Sequence, residues 1–113
     1  MEIKSYNSNK VIKLQFEDTY IRLSSENLVL IIESEDLKKL ILKINKLLKY
    51  DLKINIFHKE QFFFESEKKY LKIYYPSYSG HNLNYFIMFV LDEKILNFIV
   101  NRYQTNFNDI YLI

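Results

Sequence analysis

The chain has 113 residues, of which 49% are hydrophobic and 27% charged, with a formal net charge of +2 and no cysteine. This balance is typical of one globular domain, here residues 1–113, and it excludes a disordered chain, a disulfide framework and a zinc ribbon. The N-terminus lacks the apolar segment of a signal peptide, and the longest apolar run, residues 85–91, is too short to span a bilayer. We therefore expect a soluble, cytoplasmic protein.

Glycine is nearly absent, whereas Tyr occurs ten times and Phe nine times. Phosphate-binding loops, dinucleotide fingerprints and nucleophile elbows require glycine, because only glycine takes positive φ angles cheaply or lets the backbone approach a ligand closely. With Gly80 as the only glycine, we expect none of these sites and no cofactor, and we predict that the protein is not an enzyme. The frequent residues Phe, Ile, Lys, Tyr and Asn have AU-rich codons, so aromatic residues indicate an interface only where a core would not place them.

The first third of the sequence predicts strands. Residues 10–16 alternate apolar and polar side chains, and residues 19–23 repeat that pattern after a turn at Glu17 and Asp18. Residues 28–32 form a continuous apolar run, which is typical of a strand that is covered on both faces.

A helix is predicted over residues 34–49. Ser34 is a suitable N-cap, and the acidic side chains of Glu35 and Asp36 in the first turn favour the helix dipole. Leu42 points away from the apolar stripe and is expected to be exposed. The stripe itself consists of Leu37, Leu40, Ile41, Ile44, Leu47 and Leu48.

The remaining sequence predicts further strands and a second helix. Residues 76–84 contain the only proline and the only glycine, and they predict a loop. The fold class is therefore α+β: a largely antiparallel sheet of six to eight strands with two helices, about 34–49 and 93–103, packed on one face. No internal repeat is evident. The elements expected here are strands over 52–57, 61–66, 69–75, 85–91 and 109–113, and a helix from its cap Asp92 to Tyr103.

Charge is unevenly distributed along the chain. Residues 1–37 have a net charge of −3, whereas residues 38–72 contain ten lysines and four acidic residues, a net charge of +6. Five of these lysines lie on the predicted helix, opposite its apolar stripe: Lys38, Lys39, Lys43, Lys46 and Lys49. A basic helix face of this kind can bind phosphates without reading the base sequence. Nucleic-acid binding is therefore an alternative function, although a solvated helix face explains the same lysines.

The two histidines are the side chains that titrate near neutral pH. His58 and His81 lie in two predicted turns, and they would serve as base and acid in a metal-independent ribonuclease if they converged on one phosphate. Two histidines in separate predicted loops carry little specificity, so ordinary polar turn residues are the preferred interpretation. His58 and Glu60 are separated by one residue, but no third ligand lies at zinc spacing, so we predict no metal site and no catalytic residues.

The predicted loop is rich in tyrosine, where a core would not place it. Tyrosine offers a large contact area with few rotamers to order, and it is enriched at interface hot spots. We predict that the segment from Tyr74 to Tyr85 contacts a protein partner, with Leu42 as a second anchor. The predicted partner-binding residues are Tyr74, Tyr78, His81, Tyr85 and Leu42.

Small size, a cysteine-free α+β fold and a tyrosine-rich loop together suggest a protein-binding inhibitor. The leading hypothesis is an immunity protein of bacterial competition, which neutralises a toxin by covering its active site. A phage-encoded inhibitor of host defence is the alternative within the same class. A nuclease toxin has a basic active site, so acidic side chains should line the contact with it. The candidates are Glu17, Asp18, Glu26, Glu33, Glu35 and Asp36.

Overall fold

The computed structural model describes residues 1–26, 28–79 and 82–103, apart from the side chains of residues 55, 57, 76–79 and 82–85. Two helices and two antiparallel sheets of four strands make up this part of the chain, so the α+β class is confirmed. The eight strands form two sheets rather than the predicted single one. The first sheet comprises β1 (Glu2–Lys4), β2 (Val11–Phe16), β3 (Ile21–Ser25) and β4 (Leu28–Ile32), and the second β5 (Asn55–Lys59), β6 (Phe62–Glu67), β7 (Tyr70–Ser79) and β8 (Asn82–Leu91).

The strands and helices form a structural repeat that the sequence does not reveal. Each half is a meander of four antiparallel strands, in chain order, followed by one helix. The helices are α1 (Ser34–Tyr50) after β4 and α2 (Glu93–Tyr103) after β8. The sequence itself shows no internal repeat, so the two halves share only the order and pairing of their elements.

Helix α1 agrees with the prediction in extent and in its buried stripe, which comprises Leu37, Leu40, Ile41, Ile44 and Leu47. Its cap differs: the N-cap is Glu33, whose side chain makes no capping hydrogen bond, and Ser34 is already helical. At the other end Asp51 adopts the left-handed conformation, with φ 53°, and its amide donates to the Leu47 carbonyl at 2.8 Å. Asp51 thus closes the helix in the position where glycine is usual.

Helix α2 begins as predicted. The Asp92 carboxylate accepts a hydrogen bond from the Ile95 amide at 2.9 Å, which is the capping interaction expected of an aspartate at this position. At the C-terminal end the Tyr103 hydroxyl donates to the Tyr20 carbonyl at 3.1 Å, and Arg102 donates to the Phe16 carbonyl at 2.7 Å. The end of α2 is therefore held against the β2–β3 turn of the first half.

One hydrophobic core joins the two halves. Alternate residues of both sheets and the apolar stripes of both helices belong to the same buried cluster. Within it the Ser25 and Tyr75 hydroxyls are 3.0 Å apart, which joins the first sheet to the second. A second junction lies at the sheet edges, where the Tyr6 amide donates to the Met88 carbonyl at 2.8 Å and connects the chain after β1 with β8.

Several predicted elements are corrected by the structure. Strand β1 was not predicted, and residues 52–54 precede the strand that they were expected to begin. Strand β4 is not covered on both faces: it lies at an edge of the first sheet, and Val29 and Ile31 are exposed. The strand predicted over residues 109–113 lies outside the described residues.

Candidate functional site

The outward face of the second sheet carries an unusual set of side chains. Strand alternation buries one face of β6, β7 and β8 in the core and turns the other away from it. The residues turned away in one cross-strand row are His58, Phe63, Tyr74 and Met88, which face one another in register on β5, β6, β7 and β8. Three of these four side chains are therefore rings that point away from the hydrophobic core.

The row extends to Phe86, whose ring contacts that of Phe63. We call this surface the aromatic patch, and it consists of His58, Phe63, Tyr74, Phe86 and Met88. The rings of His58 and Phe63 meet edge to face, with centroids 4.3 Å apart, and those of Phe63 and Phe86 are 5.5 Å apart. His58 is exposed, Phe86 is 40% exposed, and the other three are half-buried. The patch is thus a partly solvated aromatic surface that is held on a rigid sheet.

A register irregularity brings His58 to this face. Pairing between β5 and β6 shifts between Asn55 and Phe57, which adds one residue to β5. Residues two positions apart normally share one face of a strand. Here Ile56 is buried, whereas His58 lies opposite the outward-facing Phe63. Bulges commonly redirect side chains in this way. The prediction that His58 lies in a hairpin turn is wrong, because it lies within a strand.

The segment after β1 borders the patch. The Asn7 side-chain amide donates to the Phe86 carbonyl at 2.8 Å, and its oxygen accepts from the Met88 amide at 3.0 Å. The Ser5 hydroxyl donates to the Met88 carbonyl at 3.1 Å. These bonds hold Tyr6, whose side chain is largely exposed, next to β8.

The other end of the same sheet face is charged. Glu65 and Lys72 pair across β6 and β7, and Lys72 donates to the Glu67 carboxylate at 3.0 Å. This hydrogen bond lowers the pKa of Glu67 and raises that of Lys72. Lys53 and Lys68 also lie near Glu67, so the face changes from a charged end with both signs of charge to an aromatic end.

The tyrosine-rich segment is not a loop. Strand β7 continues to Ser79 and β8 begins at Asn82, so most of the predicted loop is a hairpin. Proline is tolerated because β6 pairs with β7 only as far as Tyr74, which leaves Pro76 at an open edge where no amide hydrogen is needed. The sequence signal of Pro76 therefore marked a sheet edge instead of a loop.

The predicted partner-binding residues have different outcomes. Tyr74 lies in the aromatic patch, between Phe63 and Met88 in the cross-strand row. Leu42 is half-buried against the core and thus less exposed than the helical wheel predicted, and its role as a partner anchor stays a prediction. The backbone of Tyr78 belongs to β7 and that of Tyr85 to β8, whereas their side chains and His81 lie outside the described residues.

The lysine-rich block is partly engaged within the protein. The Lys43 ammonium donates to the Ile56 carbonyl at 2.5 Å, and Lys59 forms an ion pair with Asp36 at 2.6 Å. These two lysines tie the start of the second sheet to α1. Lys39, Lys46 and Lys49 remain exposed on the helix.

Concave surface occurs elsewhere, at the acidic end of the first half. A cavity of about 470 Å³ lies between the β2–β3 turn and the start of α1. A smaller cavity of about 230 Å³ is lined by Glu17, Asp18, Arg102 and Tyr103. The larger cavity is lined by Thr19, Tyr20, Ile31, Glu33, Ser34, Glu35 and Asp36.

Sequence reasoning missed Phe63, Phe86 and Met88. Phe62, Phe63 and Phe64 are consecutive, so the run does not show which ring faces the core and which faces outward. Phe86 and Met88 lie in the apolar run of residues 85–91, in which apolar side chains on both faces hide which of them point outward. The pairing of β6 with β7 shows which ring of the Phe62–Phe64 run faces outward, because it places Phe63 opposite Tyr74.

Comparisons with known proteins provide no family for this chain. No protein-family model, no curated protein and no solved structure matches it. Among the described residues, no group of three or more His, Asp or Glu side chains is placed to hold a metal ion. No helix in the described ranges is long and apolar enough to cross a membrane.

Proposed function

We propose that this protein is a protein-binding inhibitor that docks through the aromatic patch of its second sheet. The observation that carries the proposal is the cluster of three contacting rings, His58, Phe63 and Phe86, on a sheet face that the core does not need. Aromatic side chains that are preorganised on strands lose little conformational entropy on binding, and burying them contributes strongly to affinity.

The charged end of the same face supports a protein partner over a phosphate backbone. A nucleic-acid surface requires cations that are free to bind phosphates, whereas Lys72 here is paired with Glu67, and the carboxylate of Glu65 lies opposite it. Lys43 and Lys59 of the basic block are also occupied by internal contacts. An aromatic centre with a rim of mixed charge is the composition typical of protein interfaces.

Within this class we propose the role of an immunity protein. The protein would bind a toxin domain and exclude substrate from its active site by bulk, with Tyr74 and Phe86 at the centre of the contact. This mechanism asks only for a rigid surface of suitable shape and involves no chemical step. Inhibition of a host-defence effector by a phage protein would use the same surface.

Truncation of Phe86 tests the proposal. The product of the neighbouring gene, or the protein recovered with this chain from its native host, serves as the partner in an affinity measurement. Removal of a central aromatic anchor costs about 2 kcal/mol or more, so Phe86→Ala should weaken binding roughly thirtyfold with little change in melting temperature. Tyr78→Ala tests the tyrosine-rich hairpin in the same assay.

Phe98 provides the matched control. It is 45% exposed, similar to Phe86, but it lies on α2 with its ring against Phe16, at 5.2 Å between centroids. Phe98→Ala should leave affinity unchanged. Equal affinities of the Phe86→Ala variant and the wild type for the partner would refute docking through the aromatic patch. If the wild type instead binds single-stranded RNA and Phe86→Ala does not, the patch binds nucleic acid and not a protein.

A further inference from the structure

Within the described residues, the two sheets present four edge strands, and three of them are protected. The chain after β1 is hydrogen-bonded to β8, through the Tyr6 amide and the Met88 carbonyl, so these two edges meet each other. Strand β5 carries the register shift at Asn55, ends at Lys59, and has its Ile56 carbonyl bound by Lys43. Bulges, lysines and covering contacts are the usual means by which proteins protect sheet edges.

In the part of the chain that the structure describes, β4 has none of these devices. It lies at the edge of the first sheet, and its five residues, Leu28 to Ile32, are all aliphatic. On its outward face Val29 is 42% exposed and Ile31 40% exposed. A β-branched, uncharged edge strand is a ready template for the addition of another strand.

The free side of β4 has no hydrogen-bond partner in the described part of the chain. Its strand pairing is with β3 alone, from Ile21 opposite Ile32 to Ser25 opposite Leu28. Apart from the pairing with β3, none of the hydrogen bonds between described residues involves residues 28–32. Backbone groups of an edge strand that have no partner within their own sheet can pair with the backbone of another chain.

The acidic cavity lies at the C-terminal end of this strand. Ile31 lines it together with the acidic residues Glu33, Glu35 and Asp36. Asp36 is paired with Lys59 at 2.6 Å, whereas Glu33 and Glu35 form no ion pair among the described residues. The cavity, at about 470 Å³, is large enough for a long cationic side chain.

We propose that β4 accepts an extended segment of a partner protein as a further antiparallel strand, and that this segment carries an Arg or Lys near its N-terminal end. Antiparallel addition continues the pattern of the sheet. It also places the N-terminal end of the added strand beside Glu33 and the cavity, while its apolar side chains cover Val29 and Ile31. The charge of the cavity thus selects the partner. This surface is separate from the aromatic patch and does not depend on the proposed function.

A capped peptide with Arg at its N-terminal end, followed by alternating Thr and Val, is the probe. Its affinity is measured by fluorescence anisotropy for the wild type, Val29→Lys and Val11→Lys. The control residue Val11 is also 42% exposed and lies in β2 of the same sheet, away from the open edge. Val29→Lys should weaken peptide binding about tenfold, because it replaces an apolar cross-strand contact by a charge, and Val11→Lys should leave it unchanged.

The cationic end is tested by changing both partners. Replacing the peptide's Arg by Gln, or Glu35 by Gln, should each weaken binding about threefold, as expected for a solvent-exposed ion pair. The two changes together should cost no more than either alone, because the same pair is lost. Addition of salt should remove the difference between the two peptides.

Three results would overturn the proposal: no peptide binding at concentrations that do not aggregate the probe, equal losses for Val29→Lys and Val11→Lys, or a preference for the peptide with a Glu in place of Arg. A concentration-dependent dimer of the protein that Val29→Lys dissociates would assign the edge to a second copy instead. Phe86→Ala should leave peptide binding unchanged, so failure here and failure of the aromatic patch are distinguishable.

Discussion

The two halves of the molecule share one topology but differ in the outward faces of their sheets. In the first sheet, the outward cross-strand positions of β2 and β3 hold polar side chains, and Arg22 donates to Gln15 at 3.1 Å, whereas the edge strand β4 adds the aliphatic Val29 and Ile31 to this face. In the second sheet, the equivalent central row holds His58, Phe63 and Tyr74. A repeated scaffold can therefore be stabilised by equivalent inner faces while its outer faces differ, and the outer face is where function is expected.

If the halves share one core, equivalent helix substitutions should have equivalent effects. Ile44 of α1 and Ile99 of α2 are both fully or nearly fully buried. Ile44→Ala and Ile99→Ala should each lower the free energy of unfolding by about 2–5 kcal/mol, because each leaves a cavity in the common cluster. Chemical denaturation monitored by circular dichroism measures both losses.

Leu42→Ala is the control for this pair. Leu42 is half-buried at the margin of the core, so its truncation should cost roughly 1 kcal/mol. A single cooperative transition is expected for all three variants. Two separate transitions in either Ile variant would show that the halves fold independently, and equal large losses at Leu42 and Ile44 would place the helix in a different rotation.

Local patterns in the sequence predicted what depends on periodicity. The stripe from Leu37 to Leu47 placed α1 and its buried face, and Asp92 placed the start of α2. Both signals act within one or two turns of helix, so they need no knowledge of the rest of the chain. The same holds for alternating strands such as β2.

Long-range pairing could not be predicted from the same patterns. An apolar run such as residues 28–32 fits a central strand or an apolar edge strand equally well, and only the sheet order shows that β4 is an edge. Strand β1 has three residues and forms by pairing with β2, so it carries little pattern of its own. The aromatic patch was partly missed for this reason: Tyr74 was singled out, but its neighbours come from other strands.

The contact between α2 and the first half should make stability sensitive to alkaline pH. Burial raises the pKa of the Tyr103 hydroxyl, while Arg102 beside it acts in the opposite direction. Since the folded-state pKa lies above the unfolded value of about 10, folding favours the protonated hydroxyl. Its contribution is complete below pH 10 and is lost as the pH rises through the folded-state pKa.

Tyr103→Phe tests this contact. The variant should lose about 1 kcal/mol at neutral pH, because the hydrogen bond to the Tyr20 carbonyl is removed. Its free energy of unfolding should then fall less than that of the wild type between pH 9 and 11. Denaturation at several pH values measures both effects, and parallel pH dependences of the two proteins would contradict the assignment.

An effect of about the same size as that of Tyr103→Phe is expected in the hairpin turns. Non-glycine residues with positive φ occur at Glu60, Lys68 and Lys69 in hairpin turns of the second sheet, and at Glu26 in the first. Lys68 and Lys69 have φ angles of 48° and 65°, the left-handed values that a two-residue hairpin turn requires and that Asn-Gly adopts most readily. Replacing Lys68-Lys69 by Asn-Gly should raise stability by about 1 kcal/mol, or roughly 4 °C in melting temperature. Lys69→Ala removes a charge but keeps the unfavourable backbone angle, so it should not stabilise the protein. An equal gain from the alanine variant would attribute the effect to charge, and no gain from Asn-Gly would show that the turn in solution does not require left-handed residues.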